Sequence, residues 1–304
     1  MISLQTKLSN LVLSNPTILA SGILGETAGC INAVAKSGVG AIVTKSIGSV
    51  PKEGYPNPTV VELEFGYINA MGLPNPGIDE FEKEIIDSIS CGVPIIGSIF
   101  ASDETEFTYL GKRMEKIGVA ALELNLSCPH AKGYGMEIGI DPEIVRKIVS
   151  KIKDEIRIPV FAKLTPNTHR LIDVAKAVEE AGGDGVVAIN TVKAMSISID
   201  LKRPVLANRY GGLSGPAIRP IGIRCVYELY EALNIPIIGV GGIVTWKDAV
   251  EYLMAGATAL QIGSAVQKKG LRVFKDINNG LRKFLEREGY SAVNEIVGVA
   301  HELP

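Results

Sequence analysis

Ile235-Pro236-Ile237-Ile238-Gly239-Val240-Gly241-Gly242 decides the fold, because a strand opening, an apolar run and a glycine exit follow one another there without a gap. Proline lacks the N–H that a sheet ladder needs, so within a sheet it is confined to edges, bulges or a strand's first residue. The same opening recurs at Val93-Pro94 and Ile158-Pro159. Working outward, apolar runs at 17–20, 41–45, 94–100, 120–125, 159–164, 185–189, 236–240 and 259–262 alternate with amphipathic stretches. From the second run onward, proline openings alternate with glycine ones at Gly38/Gly40, Gly118, Gly182/Gly185 and Gly256. Those glycines read as helix C-caps that turn into a strand. Strands buried on both faces read as continuous apolar runs, and eight such units predict an α/β chain closed into a (β/α)8 TIM barrel.

The intervening stretches read as helices with one inward face. Phe107, Leu110, Met114 and Ile117 share a stripe in 103–117. Asp141 before Pro142 marks an N-cap and first turn, with Ile144, Val145, Ile148 and Ile152 expected to face inward. Thr245 caps a helix that Gly256 closes. No Gly/Ser/Pro-rich linker divides the chain, so 1–304 reads as a single domain.

Composition narrows the function. The 304 residues are 46% apolar, with 31 Lys+Arg against 33 Asp+Glu, which lacks the cationic excess of a nucleic-acid binder. The uncharged stretch 8–25 carries Ser9, Asn10, Ser14, Asn15 and Pro16, so it is not expected to span a membrane, and no signal peptide is apparent. Cys30, Cys91, Cys128 and Cys225 form no CxxC pair, so no metal site is expected, and reduced thiols in a cytoplasmic protein follow. Cys30, Cys91 and Cys225 fall in helical stretches, where a cysteine is usually a small buried hydrophobe.

Long loops after strands 2, 4 and 6, at 46–78, 126–140 and 190–217, leave the C-terminal strand ends, where barrels of this kind carry their chemistry. Lys45, Asn125, Lys163 and Asn190 finish strands at that end. A single lysine there reads equally as a rim residue; four polar strand ends converging on one mouth favour a site. Gly241-Gly242 and Gly263-Ser264, with 211–216 before them, either turn the chain or seat a phosphate on bare backbone N–H groups. Cys128, in the loop that follows Asn125, is a candidate base or nucleophile, with His130 close by. The loop 69–77 and Asn190-Thr191 could read a planar ligand with carbonyls and a carboxylate, although Asn75-Pro76-Gly77 also fits a plain turn. Lys163 is open to two readings, a Schiff-base former or a cation beside a cofactor that becomes anionic on reduction.

Asn125-Leu-Ser-Cys128-Pro, Asn69-Ala-Met-Gly-Leu-Pro-Asn-Pro-Gly77, Gly212-Leu-Ser-Gly-Pro-Ala-Ile and Gly239-Val-Gly-Gly242-Ile together resemble class 1 dihydroorotate dehydrogenases over essentially the whole chain. Cysteine at 128, where class 2 has serine, and the opening at 4–25 are most similar to the 1B, NAD-linked catalytic subunit. The resemblance implies that Cys128 takes a proton from C5 of dihydroorotate while a hydride leaves C6 for N5 of flavin mononucleotide (FMN). It implies substrate contacts from Lys45, Asn69, Met71, Gly72, Leu73, Asn125, Asn190 and Thr191. It implies FMN contacts from Ser21, Lys45, Ser46, Ser98, Asn125, Lys163, Ile189, Gly215, Gly241, Gly242, Gly263 and Ser264. Electrons would pass to an iron-sulfur flavoprotein subunit carrying FAD and a 2Fe-2S cluster, and then to NAD, around a homodimer core of a heterotetramer. Ser98 and His130 depart from the asparagines common at those positions. The alternatives are a fumarate-using 1A-type enzyme, another FMN barrel acting on a pyrimidine, a Schiff-base lyase using Lys163, or a ligand-binding subunit without catalysis.

Overall fold

The computed structural model describes residues 2–126 and 138–302. Its centre is a closed parallel barrel of eight strands. These are β1 (Thr17–Leu19), β2 (Ala41–Val43), β3 (Ile95–Ile99), β4 (Ala121–Asn125), β5 (Val160–Leu164), β6 (Gly185–Ala188), β7 (Ile237–Val240) and β8 (Ala259–Ile262). They stand side by side in chain order, with β8 paired to β1. All eight runs picked from the sequence are therefore barrel strands.

Alternation along each strand sorts its side chains into two cores. Leu122 and Leu124 on β4, Ala162 and Leu164 on β5, and Leu260 and Ile262 on β8 pack outward among the helices. Ala121, Phe161 and Ala259 point into the lumen, where they meet Ile18, Val43, Ile96, Val187 and Ile238. The same period sends Glu123, Lys163 and Gln261 inward one step nearer the mouth, and Asn125 one step beyond Glu123. A hairpin of Thr6–Leu8 and Leu11–Leu13 places Leu8 and Leu13 in the lumen cluster, and Ser9 bonds Asp184 just before β6 at 3.2 Å. It therefore stoppers the N-terminal end of the barrel.

The helices form where the sequence caps them. Asp103 accepts from the backbone N–H groups of Thr105 and Glu106 at the start of Glu104–Ile117. Asp141 does the same for Pro142–Glu155, and Thr245 with Asp248 makes a reciprocal capping box on Trp246–Met254. Two expectations need correction. Ile144 is 40% exposed, because Val145, Ile148, Val149 and Ile152 form the buried stripe and Ile144 falls at its edge. Cys91 lies beyond the end of Ile78–Ile86, half-buried, with its thiol on Val93 O at 3.5 Å.

Two of the three long loops are not irregular. Segments from the first and third build a four-stranded antiparallel sheet in the order Val192–Ala194, Gly211–Ser214, Gly66–Asn69, Val60–Leu63. Gly66 permits this crossing, since a Cβ there would stand 2.0 Å from Ser214 O. Most of the middle loop lies outside the described residues.

Phe161 is fully buried where the lumen narrows to its apolar layer. Phe161→Ala is expected to cost about 3–5 kcal/mol, read as a lower urea midpoint with an unchanged slope.

Candidate active site

The C-terminal ends of the barrel strands open on a cavity of about 480 Å³. Its floor is the inward polar layer. Lys163 Nζ donates to Glu123 Oε1 at 3.3 Å and to Gln261 Oε1 at 3.0 Å, while Gln261 Nε2 donates to Glu123 Oε2 at 2.5 Å. All three are buried, so each charge and dipole is met by a partner rather than by water. This pairing opposes the Schiff-base reading of Lys163, which needs an unprotonated amine.

One wall is a run of small hydroxyls. Ser21 Oγ pairs with Ser46 Oγ at 3.1 Å, and Ser46 Oγ with Ser98 Oγ at 2.8 Å. Asn125 Nδ2 donates to Ser46 Oγ at 3.1 Å. The Oδ1 of Asn125 is buried and has no hydrogen-bond partner among the described residues. A buried carbonyl left this way costs on the order of 1–3 kcal/mol, which a ligand donor would recover.

The opposite wall comes from the antiparallel sheet at the mouth. Asn69 Nδ2 donates to Gly212 O at 3.2 Å. Thr191 N donates to Asn190 Oδ1 at 2.7 Å, and Asn167 Nδ2 to Thr191 O at 3.0 Å. Asn75 faces its own loop, accepting from Gly48 N at 3.2 Å and Gly77 N at 3.0 Å, so the turn reading of 75–77 is the correct one.

Beyond β7 and β8 the backbone is bare. Gly215, Gly241, Gly242, Gly263 and Ser264 line one end of the cavity. Gly242 has φ +69°, and a Cβ on it would stand 2.7 Å from Gly215 O and 2.9 Å from Arg219 Cβ. Only glycine fits there. Tyr252 donates its hydroxyl to Gly241 O at 2.7 Å, and burial pushes that phenol well above its ordinary range, so it stays a proton donor.

Ser21, Lys45, Ser46, Asn69, Met71, Gly72, Leu73, Asn125, Lys163, Ile189, Asn190 and Thr191 thus line a single cavity with Gly215, Gly241, Gly242, Gly263 and Ser264. Ser98 stands behind Ser46, fully buried, in line with its shorter side chain. Cys128 and His130 lie outside the described residues. The sequence reading missed Glu123 and Gln261. Their signal was a charged or amide side chain inside an apolar strand, two residues before Asn125 in one case and aligned with the lumen-facing Ala259 in the other.

The fold and this mouth define an α/β barrel with a deep, polar-lined cavity at the C-terminal ends of its strands. A family model described as dihydroorotate dehydrogenase matches residues 3–285, and the chain belongs to that family of flavin-dependent oxidoreductases. Its sequence is 53% identical to the dihydroorotate dehydrogenase B (NAD(+)) catalytic subunit of Pyrococcus furiosus, over 99% of this chain and 100% of the relative. It is 51% identical to the protein of the same name from Methanocaldococcus jannaschii, over 98% of each. The 1B resemblance is borne out by these relatives, whose description as catalytic subunits implies a separate partner subunit. A DHODH from Eimeria tenella, solved in complex with ferulenol, superposes with a TM-score of 0.86 over 99% of this chain and 89% of that one; at 23% identity this likeness concerns the fold. Among the described residues no helix is long and apolar enough to cross a membrane.

Gly242→Ala should lower the affinity for flavin at least tenfold, about 1.4 kcal/mol, because the new Cβ meets backbone and the φ is left-handed. Flavin-to-protein absorbance after dialysis measures it.

Proposed function

We propose that this chain oxidises dihydroorotate to orotate with FMN as its flavin. The observation that carries the reading is the meeting, in one cavity, of a glycine cradle with an amide-lined pocket that includes Asn125, whose buried Oδ1 has no partner among the described residues. Backbone N–H groups with no Cβ in the way suit a phosphate, and an orphaned carbonyl suits an N–H at the edge of a ring. Gly215, Gly241, Gly242, Gly263 and Ser264 would hold the phosphate end of FMN. Ser21, Lys45, Ser46, Asn125, Lys163 and Ile189 would hold the rest, with Ser98 acting through Ser46.

When bound, the flavin supplies a two-electron acceptor for the hydride that leaves C6 of the substrate. The substrate's own recognition falls to Lys45, Asn69, Met71, Gly72, Leu73, Asn125, Asn190 and Thr191. Asparagine side chains offer donors and acceptors without adding charge, and the Lys45 ammonium suits the carboxylate of an anionic substrate. Cys128 Sγ is assigned the C5 proton, a role that needs thiolate character in the resting protein. Electrons would then pass to an iron-sulfur flavoprotein partner carrying FAD and a 2Fe-2S cluster, and from it to NAD. The names of the relatives support NAD and a separate partner subunit, and the cysteine spacing of this chain offers no cluster motif of its own. A single barrel domain over residues 1–304 would form the homodimer core of a heterotetramer in the cytoplasm.

Purified protein is expected to be yellow and to bleach anaerobically on addition of dihydroorotate, with orotate competing. Cys128→Ala should retain the flavin and slow bleaching by about 10²–10⁴-fold in stopped-flow absorbance. Wild-type protein that takes up FMN and is not bleached contradicts the substrate; bleaching unaltered by the substitution removes Cys128 from the chemistry.

A further inference from the structure

The ring under the cavity joins three strands across the lumen. Glu123 on β4 and Gln261 on β8 stand on opposite walls, four strands apart round the closed barrel, and Lys163 on β5 completes the circuit. Glu123 has only 1% of its surface exposed, as has Gln261. Beneath them Phe161, Ala121 and Ala259 belong to an apolar cluster that fills the lumen. A carboxylate is therefore held at the boundary between an apolar plug and a ligand cavity, where its charge is poorly screened. Solubility gives no reason for it, and a buried ion pair is weak ground for stability.

Lys163 explains its presence. An ammonium has three N–H donors, and the ring takes two of them, which leaves one for a ligand above. Two acceptors on two strands fix the position of Nζ, as a single flexible lysine would not. The carboxylate also cancels the lysine's charge. Reduction of a flavin adds negative charge to the ring system, which an ammonium favours and a carboxylate opposes. Among the described residues, the other titratable side chains that line the cavity are Lys45 and Tyr67.

We propose that Glu123 is a positioning residue, which with Gln261 holds the Lys163 ammonium against the flavin and offsets its charge, so keeping the flavin's reduction potential lower than an unpaired lysine would set it. This rests on the flavin reading above and goes beyond it, because it assigns a role to a side chain that acts through Lys163.

The test is the midpoint potential of the FMN-loaded protein, measured by equilibration with a reference dye for wild type, Glu123→Gln and Glu123→Asp. Glu123→Gln keeps the shape and removes the charge. It should shift the oxidised-to-reduced equilibrium toward reduced by tenfold or more, an upward change of about 30 mV for a two-electron couple. Glu123→Asp, which keeps the charge, should return the potential toward wild type. A Glu123→Gln oxidised-to-reduced equilibrium within twofold of wild type overturns the proposal.

If Glu123→Gln does not fold, the paired variant Glu123→Gln/Lys163→Met decides. It removes both charges and leaves no buried ion without a partner, so it should recover the wild-type melting temperature. A pair as unstable as the single variant overturns charge compensation. Dihydroorotate separates the two readings: wild type that bleaches with no shift in Glu123→Gln sinks the role of Glu123 alone. A shift in protein that dihydroorotate does not bleach sinks the substrate alone, and wild type that takes up no flavin sinks both.

Discussion

A closed barrel has one lumen, and every second residue of every strand must go into it. That constraint governs the rest of the molecule. Here the lumen changes character within one step of the pleat. Ala121, Phe161 and Ala259 fill its lower part, and Glu123, Lys163 and Gln261 stand directly above them on the same strands. Polar groups can be tolerated at that depth because they satisfy one another. Lying at the base of an open cavity, they face a ligand rather than more core.

The upper part of the site depends on chain segments far apart in sequence. Residues 67–69 pair with 212–214 to roof the mouth, while Gly215 and Gly242 approach each other closely enough to exclude a Cβ. Tyr252, on the helix after β7, reaches back to hold Gly241 O. The barrel thus supplies the floor, its loops supply the walls, and the outer helices steady the loops. Amide edges, hydroxyls and bare backbone converge there with two lysines, a combination suited to a phosphorylated cofactor beside a small anionic substrate.

Much of this was legible in the residues. Proline and glycine openings marked seven of the eight strands, from the second onward, since each reports a backbone requirement that is purely local. The polar strand ends at Lys45, Asn125, Lys163 and Asn190 were legible because a polar side chain stands out against an apolar run. Glu123 and Gln261 escaped notice although they obey the same rule, because Glu123 lies one pleat deeper than Asn125 and Gln261, level with Lys163, carries no charge to mark it. The sheet at the mouth escaped for another reason: its pairing joins segments some 145 residues apart, and no local signal records a partner at that distance. Ile144 shows the limit of periodicity, since a residue at the edge of a stripe is assigned by what packs against it. Family membership came from motifs, whereas the ring beneath the cavity came only from the coordinates.

The most direct test is a crystal structure of the FMN-loaded protein grown with orotate. The tricyclic ring should lie over the Lys163, Glu123 and Gln261 layer, its phosphate against Gly242, with orotate between the ring and Asn69, and Asn125 Oδ1 should accept a hydrogen bond from one of the two ligands. A flavin bound elsewhere, or a pyrimidine on the far side of the mouth sheet with Asn125 Oδ1 still unpartnered, would contradict the claim that this polar layer is the seat of the chemistry.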